Sequence, residues 1–177
     1  MDRKLKSLKE TIRIVEDFPV KGISFKDITT VIHSGEQFAN AIELMSGLVE
    51  HETFDYFIGP EARGFIFGAP LACKLGKGFI PVRKKGKLPF ATASYSYDLE
   101  YGKDEVFVHM DSIKSGDRVV IVDDLLATGG TARAVAELVK KLGGEVVCFL
   151  CLIELDDLGG RNKLEGLDVR SLIHYDH

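Results

Sequence analysis

The stretch from residue 118 to 131, RVVIVDDLLATGGT, restricts the fold more than any other part of the chain. Val119 to Val122 form an apolar, β-branched run typical of a strand buried on both faces, and Asp123 and Asp124 are predicted to end it. Ala127 to Thr131 predict a turn, and helical spacing begins directly behind it. The stretch therefore predicts a strand, loop and helix unit whose loop lies at the carboxyl end of a buried strand.

This loop has the composition of an anion-binding loop. Thr128 and Thr131 supply hydroxyl groups, and Gly129 and Gly130 allow a phosphate to approach the backbone N–H groups at the start of the helix. Two adjacent carboxylates would repel a phosphate bound alone. We therefore expect a ligand that carries a phosphate at one end and places hydroxyl groups or a metal ion beside the acids. The alternative is a β-α turn with only a structural role.

Two common nucleotide motifs do not account for the loop. A Walker A loop requires the pattern GxxxxGK[ST], and no lysine follows the glycines here. A dinucleotide fingerprint requires GxGxxG, and the nearest match, which begins at Gly76, has Pro81 in the third glycine position.

Length, charge and composition exclude several classes of protein. The 177 residues suit a single domain, and the net charge of −4 does not favour a nucleic-acid partner. The charged N-terminus has no apolar core typical of a signal peptide, and no segment is apolar enough for a membrane span, so we expect a cytoplasmic protein.

Cys148 and Cys151 have CxxC spacing, which could indicate a redox or metal site. Residues three apart on a strand face opposite ways, however, so buried, inert thiols are favoured over such a site.

Predicted strands alternate with predicted helices along the chain. This order predicts an α/β protein with a largely parallel, doubly wound sheet and antiparallel excursions between residues 90 and 110. We expect helices at 5–15, 38–49, 67–75 and 132–142, and strands at 54–58, 79–82, 95–101, 105–109, 119–122, 145–153 and 169–173. We divide the single domain into a helix and hood segment (1–33), a core (about 34–164) and a C-terminal strand (165–177).

Basic residues follow two of the predicted strands. Arg63 lies between small residues in the turn that follows one strand, and residues 83–87 carry four cations directly after another. Loops at the carboxyl ends of strands are where open α/β sheets bind ligands. The run at 83–87 is either a solvated face or a mobile lid that closes cations over an anion.

Five segments of the chain, taken together, resemble the adenine phosphoribosyltransferases, a group of the type I phosphoribosyltransferase family. They are the Phe18-Pro19 stretch with FKDIT (25–29), GPEARGF (59–65), RKKGKLP (83–89), LEYGK (99–103) and the 118–131 stretch. The resemblance implies the type I fold, with a largely parallel twisted sheet flanked by helices, a small hood and a flexible catalytic loop. It also implies transfer of phosphoribose from phosphoribosyl diphosphate (PRPP) to adenine, giving AMP and pyrophosphate. The resemblance further implies a homodimer, and Mg²⁺ carried by the PRPP diphosphate with no direct metal ligand from the protein.

The resemblance also implies roles for individual residues. Glu100 would be the catalytic acid, and Tyr101 would lie beside it on the lid. The remaining roles are ribose and 5′-phosphate binding by Asp123, Asp124, Ala127, Thr128, Gly129, Gly130 and Thr131; pyrophosphate binding by Arg63, Arg83, Lys84 and Lys87; and adenine binding by Ser24, Phe25 and Lys26.

The sequence departs from the family pattern at several positions. Lys26 and Lys21 stand where many relatives carry arginine and proline, and the segment 90–98 matches no family pattern. Lysine keeps the positive charge of arginine but lacks its planar fork. Two alternative functions remain. An enzyme for another acceptor base, such as xanthine or guanine, would need different base-recognition residues at 24–26. A PRPP-sensing regulator would need a nucleic-acid-binding element beside the fold.

Our first prediction concerns Glu100, whose alternative role is that of an exposed hairpin glutamate. If its carboxylate accepts the proton that adenine loses, Glu100→Gln will slow turnover by roughly 10²-fold or more and leave PRPP affinity nearly unchanged. Steady-state kinetics with a PRPP titration measure both. Unchanged turnover would assign the proton transfer to another group.

Overall fold

A five-stranded parallel sheet forms the centre of the structure, a computed structural model that describes residues 2–98 and 103–176. The helices are α1 (Asp2–Thr11), α2 (Thr29–His33), α3 (Gly35–Gly47), α4 (Arg63–Leu75), α5 (Gly130–Lys141) and α6 (Gly160–Lys163). The strands are β1 (Arg13–Val15), β2 (Phe25–Asp27), β3 (Tyr56–Pro60), β4 (Gly78–Val82), β5 (Thr92–Asp98), β6 (Lys103–His109), β7 (Arg118–Leu126), β8 (Glu145–Leu155) and β9 (Val169–Tyr175).

The order of the strands places a crevice at the middle of the sheet. The order is β4-β3-β7-β8-β9, and all four neighbouring pairs are parallel. From β3 the chain passes through α4 to β4 on one side, whereas from β7 it passes through α5 to β8 on the other. The connections therefore diverge between β3 and β7, and open α/β sheets bind ligands at such switch points.

Strand β7 is buried on both faces, as the apolar run predicted. Val120 and Val122 pack into the core on the side of α1, α3 and α4, whereas Val119 and Ile121 pack into the core on the side of α5 and the β5–β6 hairpin. Our prediction that the two acids end the strand was wrong. The strand continues to Leu126, because its backbone stays paired with β8 as far as Leu126 opposite Glu154.

The N-terminal helix is shorter than its spacing predicted. α1 ends at Thr11, and the β-branched residues behind it form β1, which pairs antiparallel with β2 in register from Arg13 opposite Asp27 to Val15 opposite Phe25. Pairing with a distant segment overrides the helical periodicity of Ile12 and Val15. We call the β1–β2 pair, together with the segment that joins the two strands, the hood.

The predicted hairpin is present in the described residues. β5 pairs antiparallel with β6, and the hairpin packs against α5. Its base is joined to the end of β4, because the Arg83 N–H donates to the Phe107 carbonyl and the Phe107 N–H donates to the Arg83 carbonyl, both at 2.9 Å. The hairpin thereby holds the start of the basic run at 83–87.

The two cysteines of the CxxC spacing are separated by the sheet, as predicted. Cys148 packs on the α3 and α4 side, and Cys151 packs on the α5 side. Burial raises the pKa of the Cys148 thiol to about 12 and that of the Cys151 thiol well above its ordinary value. Both thiols are free, buried and protonated, which fits a packing role.

In the two described ranges, no helix has the length and apolar character needed to cross a membrane. The 13 residues of α3 and of α4 compare with the roughly 20 apolar residues that a bilayer span requires.

The core position of β8 gives our second prediction. The Leu150 side chain is fully buried, so Leu150→Ala will lower the free energy of unfolding by about 2–5 kcal/mol through lost burial and a residual cavity. Urea denaturation measures this change. Val20→Ala is the control, because Val20 is 61% exposed and its truncation is expected to change stability by less than about 0.5 kcal/mol. Equal effects of the two variants would contradict the packing described above.

Candidate active site

A cavity of about 240 Å³ lies at the crevice between β3 and β7. The turn after β3 forms one wall and the acidic end of β7 forms another, while the hairpin and the segment after β4 close the remaining sides. Its lining consists of Pro60, Glu61, Ala62, Arg63, Val82, Arg83, Lys84, Tyr97, Asp104, Val106, Asp123, Asp124 and Thr131. The structure thus brings together six of the residues predicted from the sequence: Arg63, Arg83, Lys84, Asp123, Asp124 and Thr131.

The two acids lie beside each other at the floor of this cavity, Asp124 buried and Asp123 partly buried. Asp124 is 1% exposed, and its backbone N–H donates to Asp123 Oδ1 at 2.9 Å. Burial raises the pKa of Asp123 well above its ordinary value, and the neighbouring charge of Asp124 adds to the effect. Burial also raises the pKa of Asp124, although the positive charge of Arg63 opposes it. Such a pair is costly to keep charged without a ligand.

One carboxylate oxygen of Asp124 has no hydrogen-bond donor. The Arg63 Nε atom lies 3.2 Å from Asp124 Oδ2, yet this oxygen is buried and accepts no hydrogen bond in the structure. The contact is therefore an ion pair without hydrogen-bond geometry. A hydroxyl donor or a cation at this oxygen would satisfy it.

The loop at 127–131 forms a second, adjoining cavity of about 200 Å³, which shares Arg63, Asp123 and Thr131 with the first. Gly129 is the N-cap of α5, with a φ of 78° in the left-handed region that favours glycine. No side chain caps this end of α5 within the part of the chain that the structure describes. The N–H groups of the first helical turn are thus open to an anion, together with the Thr128 and Thr131 hydroxyls.

The cations of the first cavity are paired with carboxylates of the protein. Arg83 Nε lies 3.1 Å from Glu61 Oε1, again without a hydrogen bond, and the Lys84 ammonium contacts Asp104. The Lys84 backbone N–H donates to Glu61, and this bond, assisted by Arg83, lowers the pKa of Glu61. The carboxylates hold these cations at the cavity wall, where an anionic ligand would have to replace them.

Lys87 is not brought to this cavity. Its side chain is exposed, and its backbone N–H donates to the Lys84 carbonyl at 3.3 Å within the turn of the basic run. Of the residues predicted to bind pyrophosphate, Arg63, Arg83 and Lys84 therefore line the cavity, and Lys87 does not.

Sequence reasoning assigned no role to three polar residues of the cavity lining, namely Glu61, Tyr97 and Asp104. The Tyr97 hydroxyl lies 3.2 Å from Thr131 Oγ1 and 3.1 Å from Asp104 Oδ2, and burial raises the pKa of this tyrosine. Glu61 stands inside the GPEARGF motif, so that motif could have indicated it. Tyr97 belongs to the segment that matches no family pattern, and only the hairpin pairing brings it to Thr131.

The predicted adenine-binding residues lie in the hood, outside both cavities. Phe25 is half-buried and packs edge-on against Phe18, with ring centroids 5.2 Å apart. Lys26 is 5% exposed, and its ammonium donates to the Ser24 carbonyl at 3.0 Å and to the Ser24 hydroxyl at 2.9 Å. Among the described residues, the linings of the two cavities include none of Ser24, Phe25 and Lys26. Glu100 and Tyr101 lie outside the described residues.

Comparison with known proteins identifies the family. A family model described as a phosphoribosyl transferase domain matches residues 29–174. An adenine phosphoribosyltransferase of Clostridium botulinum is 57% identical over 169 residues, which cover 96% of this chain and 98% of that protein. The chain belongs to the phosphoribosyltransferase family. This phosphoribosyltransferase is a glycosyltransferase, and its similarity to adenine phosphoribosyltransferases spans nearly its whole length.

Solved structures support the same assignment. An adenine phosphoribosyltransferase of Thermoanaerobacter pseudethanolicus has a TM-score of 0.94 at 54% identity, covering 97% of this chain and 99% of that one. An adenine phosphoribosyltransferase of Saccharomyces cerevisiae, solved with an imino-altritol bisphosphate and adenine, has a TM-score of 0.91 at 37% identity, with coverage of 97% and 99%. The type I phosphoribosyltransferase fold that the sequence predicted is thus confirmed.

Our third prediction follows from the buried acids. Since the folded protein raises the pKa of Asp123, the unfolded chain releases that proton at lower pH, and folding weakens as pH rises above about 4. Asp123→Asn keeps the Oδ1 acceptor and removes the charge. We expect it to raise the free energy of unfolding of the ligand-free protein at about pH 7 by roughly 1 kcal/mol or more, with a smaller gain near pH 4.

Chemical denaturation at the two pH values tests this expectation. Asp111→Asn is the matched control, because Asp111 is exposed and its neutralisation should change stability little at either pH. A loss of stability in Asp123→Asn at about pH 7 would contradict the prediction.

Proposed function

We propose that this phosphoribosyltransferase transfers the 5-phosphoribosyl group of PRPP to adenine, giving AMP and pyrophosphate in purine salvage. One observation carries the proposal. Two adjacent carboxylates, Asp124 buried and Asp123 partly buried, line a cavity that also holds three cations and that adjoins an open anion loop. PRPP has the matching order of groups: a 5′-phosphate, ribose hydroxyls and a diphosphate. The 57% identity to an adenine phosphoribosyltransferase supports adenine as the acceptor.

The two ends of PRPP would be held by different parts of the crevice. The backbone N–H groups of 127–131, with the Thr128 and Thr131 hydroxyls, would bind the 5′-phosphate. Asp123 and Asp124 would accept hydrogen bonds from the ribose hydroxyls, for which Asp124 Oδ2 has a free acceptor position. Arg63, Arg83 and Lys84 would bind the diphosphate, which would displace the Glu61 and Asp104 carboxylates from their cations.

This charge arrangement suits the chemistry of the transfer. As the bond from C1 of ribose to the diphosphate breaks, positive charge develops on the sugar and negative charge on the leaving group. The buried acids would stabilise the sugar, and the cations would stabilise pyrophosphate. Once the diphosphate has replaced Glu61 and Asp104, these groups would be in place before the bond breaks, so little further reorganisation would be needed at that step.

The hood is proposed to recognise adenine. A peptide C=O and N–H pair at Ser24 would read the amino group and ring nitrogen of adenine, and Phe25 would stack on the ring. Lys26 already donates to the Ser24 carbonyl, whose second lone pair remains free to accept from the base. Lys26 would therefore act by orienting Ser24. Glu100 would accept the adenine proton, with Tyr101 beside it on the lid.

Magnesium is proposed to enter with PRPP. Carboxylate oxygens suit a hard cation, and Asp123 and Asp124 line the same cavity as the three cations, so the site fits Mg²⁺ that is carried by the diphosphate without a direct ligand from the protein. When bound, Mg²⁺ neutralises charge on the diphosphate. The chain's own cations hold and orient that group.

We further propose a single-domain, cytoplasmic homodimer without nucleic-acid or membrane partners. In the adenine phosphoribosyltransferases that this sequence resembles, cations of the loop at 83–87 reach the active site of the neighbouring subunit. The exposed position of Lys87 supports the same role here. The free cysteines are consistent with a reducing compartment. The net charge of −4 does not favour nucleic acid.

A base-specificity assay tests the proposed function and is our fourth prediction. The purified protein is mixed with PRPP and Mg²⁺ and with adenine, hypoxanthine, guanine or xanthine, and nucleotide formation is followed. We expect AMP from adenine and at least about 10²-fold lower kcat/KM for the other bases, because their donors and acceptors are reversed at the reading positions. PRPP binding without AMP formation would refute the proposed enzymatic activity. Preferred formation of another nucleotide would refute the assigned base.

A further inference from the structure

The anion loop rests on a second turn of the chain through direct backbone contact. Gly160, at the start of α6, leaves no space for a side chain, because an added Cβ would lie 2.2 Å from the Ala127 carbonyl oxygen and 2.9 Å from Leu126 Cγ. The contact is mutual, since an added Cβ at Gly129 would lie 2.6 Å from the Gly160 carbonyl oxygen. The position of the loop backbone is therefore set by the position of Gly160.

Arg161, the next residue, ties this turn to the carboxyl end of the sheet. Its Nε and Nη2 atoms donate to the two carboxylate oxygens of Glu154 at 2.5 Å and 2.8 Å, a bidentate pair. Its Nη1 atom donates to the Val169 carbonyl at 3.0 Å, and Nη2 also lies 3.3 Å from the Ser171 hydroxyl. One guanidinium thus connects the turn to both β8 and β9.

Glu154 provides a buried, hydrogen-bonded anchor for this guanidinium. It is 3% exposed, and although burial alone would raise its pKa, the hydrogen bonds from Arg161 and Ser171 outweigh burial and lower it. Glu154, Asp156 and His174 place possible metal-ligand atoms within 4.8 Å of one another. Because Arg161 engages both Glu154 oxygens, this cluster anchors the arginine rather than offering an open cation site.

We propose that Gly160 is a positioning residue for the 5′-phosphate loop, and that the Arg161–Glu154 pair holds Gly160 in place. None of the three residues lines either cavity, so they would act through the loop and not on the substrate. The inference rests on the proposed role of 127–131 as the 5′-phosphate site. The loop has no side-chain cap of its own at Gly129, so its N–H groups converge only while the turn beneath supports them.

Gly160→Ala tests this support and is our fifth prediction. The added methyl group must push the loop away from the turn, so we expect AMP affinity to fall about 10- to 100-fold and the KM for PRPP to rise in parallel. Pyrophosphate affinity and the KM for adenine should remain nearly unchanged, since Gly160 does not line the cavity that holds the cations and belongs to a different segment from the hood. Inhibition constants for AMP and pyrophosphate provide the comparison.

Gly47→Ala is the matched control. An added Cβ at Gly47 meets no atom within 4 Å, and neither Gly47 nor Gly160 has left-handed backbone. The two substitutions therefore differ in the contact they create and not in backbone strain. We expect Gly47→Ala to bind AMP as the wild type does.

Arg161→Lys is a second variant that adds no volume. It keeps a positive charge near Glu154 but loses the bidentate fork and the contact with Val169. We expect a threefold to tenfold loss of AMP affinity, on the order of one or two lost hydrogen bonds, with pyrophosphate affinity retained. This variant decides the question if Gly160→Ala does not fold.

Two results would overturn the inference. The first is an AMP affinity within about twofold of the wild-type value in a folded Gly160→Ala variant or in Arg161→Lys. The second is an equal loss of AMP affinity and pyrophosphate affinity in these variants. The proposed 5′-phosphate site fails by a separate criterion, namely absence of AMP binding by the wild-type protein.

Discussion

The pairing of β7 with β3 on one side and β8 on the other is the constraint on which the rest of the structure depends. A strand in this position must be apolar on both faces, and the run Val119–Val122 meets that requirement. The same pairing carries Asp123 and Asp124 to the carboxyl edge of the sheet, beside the end of β3. Because the chain diverges between these two strands, a crevice remains there, and the acids form its floor.

The site contains unfavourable electrostatic interactions that a bound substrate would relieve. Asp124 is buried beside the partly buried Asp123, and the ion pairs Arg63–Asp124 and Arg83–Glu61 lack hydrogen-bond geometry. Polar groups held in this way cost stability in the free protein. They line the cavity, so an anion that replaced the carboxylates on the cations, together with hydroxyl groups at the acids, would satisfy them.

Several positions show how far the sequence could predict the structure. Local periodicity predicted the strand at Val119, the helix behind Gly130 and the opposite faces of Cys148 and Cys151. In these elements, the spacing of apolar residues along the segment itself matches the faces that are buried. The end of α1 and the length of β7 were predicted incorrectly, since strand pairing with distant segments decided both. Tyr97 and Gly160 had no signal in the sequence, because their roles depend on contacts with residues more than 30 positions away.

The sequence by itself determined the chemistry of this protein: a strand that ends near two acids, a loop suited to a phosphate, and cations placed after two other strands. These are properties of short segments, and residue type and spacing express them directly. Only the tertiary structure decided which cations face the acids, which carboxylates hold those cations, and what supports the loop from beneath. Such relations arise when distant segments pack at one edge of the sheet, where backbone contacts such as that between Gly160 and Ala127 leave no pattern in either segment alone.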